Sequence, residues 1–254
     1  FTTAQVAALT VDQAAAMQSA DLVGLRTAQI RALSTADVAA LTESNITALR
    51  TDQVAALTTD QVRALTDSQI ASIETADIRA MGTAQLRALE TNQIASLASS
   101  QVMALTSQQF SAFTSDQMAA LDPAAQGAFG TAQYSSMSTA QIAGLTAAQV
   151  TTLSTSIIAT LSTAQVAAFT TQALNELSTA ALVALSTAQV AGLTTAQVAS
   201  LTDTVLQTLE TRDIAALTTR QLAAMSADQL DSLGTHQLAA LTTSAAAALT
   251  VGQV

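Results

Sequence analysis

The hydrophobic positions of this chain recur every eight residues from one end to the other. Leu9, Leu33, Leu57, Leu105, Leu161, Leu201 and Leu249 all leave remainder 1 on division by eight, and Val6, Ile30, Val54, Val102, Val166, Val198 and Val254 all leave remainder 6. The pattern between them is approximately L-[TS]-T-x-Q-[VIL]-x-A. An insertion anywhere would shift the remainders, and none does. Unbroken spacing over roughly 32 copies places each copy in an equivalent position of a stack, because independent loops would tolerate slippage.

The period selects the local structure. In a continuous helix of roughly 3.6 residues per turn, eight residues advance by about 800°, so the apolar stripe would turn by ~80° per copy and no partner helix could follow it. A strand would put Val6 and Leu9 on opposite faces, and the Ala-Ala steps between such residues are weak strand formers. A spacing of three is helical. Short helices, one per octad, therefore fit best.

Polar residues mark where each helix begins. Remainder 2 carries Ser34, Thr58, Thr66, Ser138, Ser162, Ser178, Thr194 and Thr218, and three residues later stand Asp37, Gln61, Gln69, Gln141, Gln165, Gln197 and Gln221, with Ala181 the exception after Ser178. This is capping-box spacing: the hydroxyl accepts from the third helical N–H and the Gln or Asp accepts from the cap N–H in return. Pro123 follows Asp122 at the first helical position, where its missing N–H costs nothing. Gly82, Gly130 and Gly234 also stand at remainder 2, between one helix and the next. All but Glu176 and Asp231 of the 18 Asp and Glu lie in the cap and first turn, at the positive end of the helix dipole. Arg31, Arg63, Arg79 and Arg87 stand at remainder 7, toward the other end. Each octad then reads as T-x-Q-V-A-A-L in a helix of roughly 10 Å, followed by one cap residue that turns the chain. Alone such a helix would not form, since helices below about 12 residues are marginal in water.

The expected architecture is an all-α solenoid of about two-turn helices coiled into a thin superhelix, continuous over residues 1–254 and forming a fragment or subunit of a longer array. Two, three or four octads per turn would each bring equivalent helices into register. Val54, Leu57, Val62, Leu65, Val102, Leu105, Val166, Phe169, Val190, Leu193, Val198 and Leu201 are expected to face the axis. Small residues at remainder 0, such as Ala40, Gly144 and Gly192, would let successive turns approach closely. Every aromatic residue falls on an inward position: Phe1, Phe113, Phe129 and Phe169 at remainder 1, Phe110 and Tyr134 at remainder 6. The stretch from Phe110 to Met137 departs most from the pattern, with Gln126 where Val or Ile is expected. It reads either as a locally repacked core or as a lateral contact through Phe110, Phe113, Phe129 and Tyr134.

Composition narrows the partners. The chain has no Cys, which removes disulfides, thiolate metal sites and a Cys nucleophile. Lys is absent and the net charge is −10, which argues against nucleic acid and anionic membranes. No apolar run approaches the ~20 residues of a membrane span. His236, the single His, cannot build a zinc site without further ligands. Calcium-loop, Walker, dinucleotide and G-x-S-x-G patterns are missing, so neither a cofactor nor an enzymatic activity is expected. Thr35, Thr59, Thr83, Thr139, Thr163, Thr187 and Thr219 form the most regular polar row, read as helix starts or as a face for glycan, peptide, ice or mineral.

The octads S-T-A-Q-V-A-A-F at 162–169, T-T-D-Q-V-R-A-L at 58–65 and T-T-A-Q-V-A-S-L at 194–201 resemble Ala/Thr/Gln-rich octad tracts of large secreted or surface-exposed bacterial proteins. That resemblance covers the whole chain and implies an extracellular spacer, adhesin stalk or filament-forming role. It transfers no catalytic or ligand residue. The expected function is a structural one, with self-association into a fibre or longer array. The alternative is a binding module that uses the Thr-lined face for a glycan, peptide or other surface ligand.

Overall fold

The computed structural model describes residues 1–253, so Val254, expected on the inward face, lies outside the described residues. Among the described residues the chain forms 31 short α-helices and a final 3-10 turn at Val251–Gln253, with no strand. The all-α solenoid expected from the octads is the observed fold.

One octad shows how the helix is bounded. Thr35–Ala40 begins after Ser34, whose hydroxyl accepts from the Asp37 amide at 3.1 Å while the Asp37 carboxylate accepts from the Ser34 amide at 2.9 Å. The helix stops one residue earlier than expected. Leu41 is not helical but extended, at φ −61° and ψ 144°, although its N–H still reaches the Val38 carbonyl at 3.3 Å. The corner in this octad and others like it is thus two extended residues, the Leu and the following cap. Both keep negative φ, and no described residue has positive φ, so these helices end without a left-handed glycine.

Gly82 illustrates the consequence. Its φ −73° and ψ 155° nearly match those of Thr58, at −73° and 161°, and a Cβ there would meet only Gln85 Oε1 at 3.6 Å. Gly82→Thr is expected to stabilise the fold by about 0.5–1 kcal/mol, by adding a hydroxyl cap and reducing the freedom of the unfolded chain. Thermal unfolding followed by circular dichroism checks this; an unchanged or lower midpoint would contradict the corner geometry.

The helices divide into two compact units, Phe1–Ala128 and Phe129–Val254. In the first, Thr27–Ile30 packs on Thr51–Ala56, which packs on Thr75–Ala80, which packs on Ser99–Ala104. In the second, Thr139–Ala143, Thr163–Val166, Thr187–Ala191, Thr211–Ala216 and Thr235–Ala239 succeed one another in the same way. Each helix therefore lies against the third one along, and three octads complete a turn in either unit. Gly192 marks how close the turns come: a Cβ there would lie 3.2 Å from Thr163 Cβ.

The inside of each turn is filled from remainders 6 and 1. Val54, Leu57, Val62, Leu65, Val102 and Leu105 are buried in the first unit, and Val166, Phe169, Val190, Leu193, Val198 and Leu201 in the second. Full burial of such side chains contributes about 1.5–3 kcal/mol each, which is what holds helices too short to stand alone. Leu9 and Leu249 are only half-buried. Phe1, expected inside, is 77% exposed: it precedes the first helix, Thr3–Ala7, and Gln29 Nε2 holds only its backbone carbonyl.

Candidate functional site

A feature that repeats through both units is a buried side-chain amide at most corners. Gln61 Oε1 accepts from the Thr58 amide at 2.8 Å, and its Nε2 donates to the Ile30 and Leu33 carbonyls, both at 2.8 Å. Those carbonyls stand 31 and 28 residues earlier, at the corner of the turn before. Gln69 repeats the arrangement on Val38 at 3.0 Å and Leu41 at 2.6 Å, and Gln93 on Val62 at 3.1 Å and Leu65 at 2.6 Å. In the second unit Gln165 reaches Tyr134 and Met137, Gln189 reaches Ile158 and Leu161, and Gln229 reaches Val198 and Leu201. One amide thus closes the start of its own helix and ties that helix to the end of another. Both functions relieve backbone groups that short helices leave without intrahelical partners.

The predicted caps occupy the same corners. Ser34, Thr58, Thr66, Ser162 and Thr194 each accept from the amide three residues on, at 3.1–3.2 Å. Asp122 differs, accepting from the Ala124 amide at 2.7 Å with Pro123 at the first helical position. Where remainder 2 has no hydroxyl, the return bond persists: the Gly82 amide donates to Gln85 Oε1 at 2.7 Å. A further set of bonds runs the other way along the stack. Thr47 Oγ1 donates to the Ser72 carbonyl at 3.1 Å, Asn175 Nδ2 to Ser200 at 2.8 Å and Gln207 Nε2 to Ser232 at 3.2 Å.

Charge enters the corners at a few places. Arg50, at a cap position, pairs with Asp52 at 2.9 Å and donates through Nη1 to the Val23 carbonyl. The Arg50 guanidinium holds the Asp52 carboxyl below its ordinary range by hydrogen bonding, but both groups are exposed and the pair is a minor stabiliser. Asp213 is different. It occupies a Gln position, is fully buried, and accepts from the Glu210 amide through Oδ2 at 3.3 Å. Its Oδ1 has no hydrogen-bond partner among the described residues, the Arg212 Nε lying 3.8 Å away. Burial pushes this carboxyl above its ordinary value, against smaller opposing effects of the Glu210 amide and Arg212.

The lateral-contact reading of the aromatic segment is corrected by burial. Phe110, Phe113, Phe129 and Tyr134 are all at most 4% exposed. Phe110 and Phe113 place their ring centroids 5.9 Å apart, and Phe129 and Tyr134 meet edge-on at 6.1 Å. Remainders 6 and 1 point inward even for large rings, so these residues offer no outer surface. Gln126, in the same stretch, is buried as well. The Thr row lies outside: Thr35, Thr59, Thr139, Thr163, Thr187 and Thr219 are exposed and Thr83 is half-buried. His236 is exposed beside a shallow cleft that Glu210 and Arg212 also line. Among the described residues no three His, Asp or Glu come together as a metal site, and no helix is long and apolar enough to cross a membrane.

Comparison with known families places this geometry. The model of the ALTTAQ repeat matches residues 14–51, 37–72, 70–107, 127–155, 171–203 and 206–243, well over half of the chain. The chain belongs to the ALTTAQ repeat family. The letters of the ALTTAQ repeat fall on the corner itself, as in Ala56, Leu57, Thr58, Thr59 and Gln61: the helix end, the buried extended Leu, the cap, the first helical residue and the stapling amide. No curated protein matches the chain.

Proposed function

We propose that this ALTTAQ repeat chain is a structural spacer, carried on a bacterial cell surface or in a secreted protein, whose octads supply length at constant cross-section. The observation that carries the reading is the recurrence of one amide bond pattern, 28 and 31 residues back, through both units. A repeat whose turns are joined identically can be extended by copies without redesign, and its stability grows through nearest-neighbour contacts. The resemblance of the octads to tracts of secreted and surface proteins supports the location. The role is mechanical and includes no catalytic step.

Self-assembly into a filament or sheath is the fuller form of this proposal. Each turn offers carbonyls on one side and amides on the other, a head-to-tail complementarity that generates open fibres when it acts between molecules. Negative-stain microscopy over a range of concentrations tests it. Fibres of uniform width that lengthen with concentration are expected; monodisperse particles at every concentration would remove self-assembly and leave the spacer. The second reading, a binding face, has one specific observation behind it. Thr139, Thr163, Thr187, Thr211 and Thr235 begin five successively stacked helices on one side of the second unit. Glycan-array binding lost on replacing Thr163 and Thr187 with Glu, with folding kept, would favour that reading over the spacer.

A further inference from the structure

At several corners an acid stands in place of the stapling amide, as at the buried Asp37, Asp77 and Asp213, and of these Asp213 is the one with a buried oxygen that has no hydrogen bond among the described residues. In the neighbouring turns Gln189 donates to Ile158 and Leu161, and Gln221 donates to Val190 and Leu193. The same spacing from Asp213 leads to the carbonyls of Leu182 and Leu185, but an ionised carboxylate has no hydrogen to give. The second oxygen of Asp213 is buried and without a hydrogen bond among the described residues. Arg212 Nη2 reaches the Val183 carbonyl of that corner at 3.4 Å, yet a buried carboxylate oxygen without a hydrogen bond is a poor arrangement, and a carboxylic acid there has one donor to offer.

We propose that Asp213 is a proton-operated joint between the helix Thr211–Ala216 and the Leu182–Leu185 corner at which the helix Thr179–Val183 ends. Protonated, its Oδ1–H donates toward the Leu182–Leu185 corner and restores the bridge that Gln makes elsewhere. Ionised, it leaves that bridge unmade and the two helices less firmly joined. The charged groups around it are few. Glu210 and Arg212 belong to its own helix and cap, joined to each other at 2.6 Å. Thr187–Ala191 brings no titratable group, and Thr235–Ala239 brings only the exposed His236.

The direction with pH follows from burial. Burial raises the folded-state value of this carboxyl above 3.8, so its contribution to stability is fully present below 3.8 and is lost as pH rises through the raised value. Asp213→Gln carries a permanent N–H and should remove that dependence. With the full chain, the unfolding midpoint of Asp213→Gln is expected to be close to that of the parent near about pH 3.5 and to rise above it progressively toward pH 7. His236→Gln should leave the parent profile unchanged. A difference between parent and Asp213→Gln that is the same at all pH values would overturn the proposal. The parent alone supplies a second test through carbon NMR of the Asp213 carboxyl: a midpoint above 3.8 is expected, and one at or below it would overturn the joint even if Asp213→Gln failed to fold.

Discussion

Gln93→Leu is expected to destabilise the Phe1–Ala128 unit by about 3 kcal/mol, although it replaces a polar side chain with an apolar one of similar size in a buried place. Gln93 is 1% exposed, accepts from the Glu90 amide at 2.8 Å, and donates to Val62, Arg63 and Leu65 carbonyls at 3.1, 3.2 and 2.6 Å. Leu would fill the space. It would also leave the Glu90 N–H and the Leu65 carbonyl without this partner, and each buried group left unsatisfied costs about 1–3 kcal/mol. That loss outweighs the gain from burying more apolar surface, because Gln93 already excludes water there. Gln93→Glu tests the donor separately: it keeps an acceptor for Glu90 but turns a second oxygen toward carbonyls, so it should also destabilise at neutral pH and recover partly in acid. Urea unfolding of the three proteins checks both. A Leu variant as stable as the parent would mean that the amide only fills space.

This double role of Gln shows what the octads disclose and what they conceal. The caps at Ser34 and Thr58, the inward Val62 and Leu65, and the unit of one helix per octad all follow from spacing, because each depends on neighbours within a few residues. The number of octads per turn does not. It depends on the angle at each corner; a small residue such as Gly192 announces a close approach, but nothing local identifies Thr163 as the neighbour it meets. The extended state of Leu41 was hidden for a related reason. A Leu at the end of a helical stretch has good helix propensity, and it is its burial in the corner that overrides it. The Gln staple did leave a trace. A capping box accepts Glu as readily as Gln, yet no Glu stands at remainder 5 anywhere in the chain. The prevalence of Gln at that position is what a need for an N–H donor favours, while Asp21, Asp37, Asp77 and Asp213 stand there without one. The buried rings of Phe110 and Tyr134 were ambiguous because large aromatics suit a core and an interface equally.

Val62→Asp is expected to cost at least about 3 kcal/mol and to unfold the first unit in its surroundings, since it places an unpaired carboxylate on the inner wall of a turn. Val62 is fully buried and its carbonyl receives Gln93, so the charge would sit beside a staple as well as inside the core. Ala84→Asp is the matched control. Ala84 is exposed in the first turn of Thr83–Ala88, where a negative charge meets the positive end of the helix, and its effect should stay within about 0.5 kcal/mol of zero or be slightly stabilising. The shape of the transition carries further information. In a stack held by nearest-neighbour contacts, damage at Val62 is felt first by the turns that touch it, so unfolding should broaden or split rather than shift as one step. Circular dichroism against temperature gives the cost, and hydrogen exchange by segment gives the extent. Loss of protection centred on residues 59–64 and on the packed helices Thr35–Ala40 and Thr83–Ala88 is expected. Equal tolerance of Asp at Val62 and Ala84 would remove the inward assignment of remainder 6, and with it the account of why octads this short fold at all.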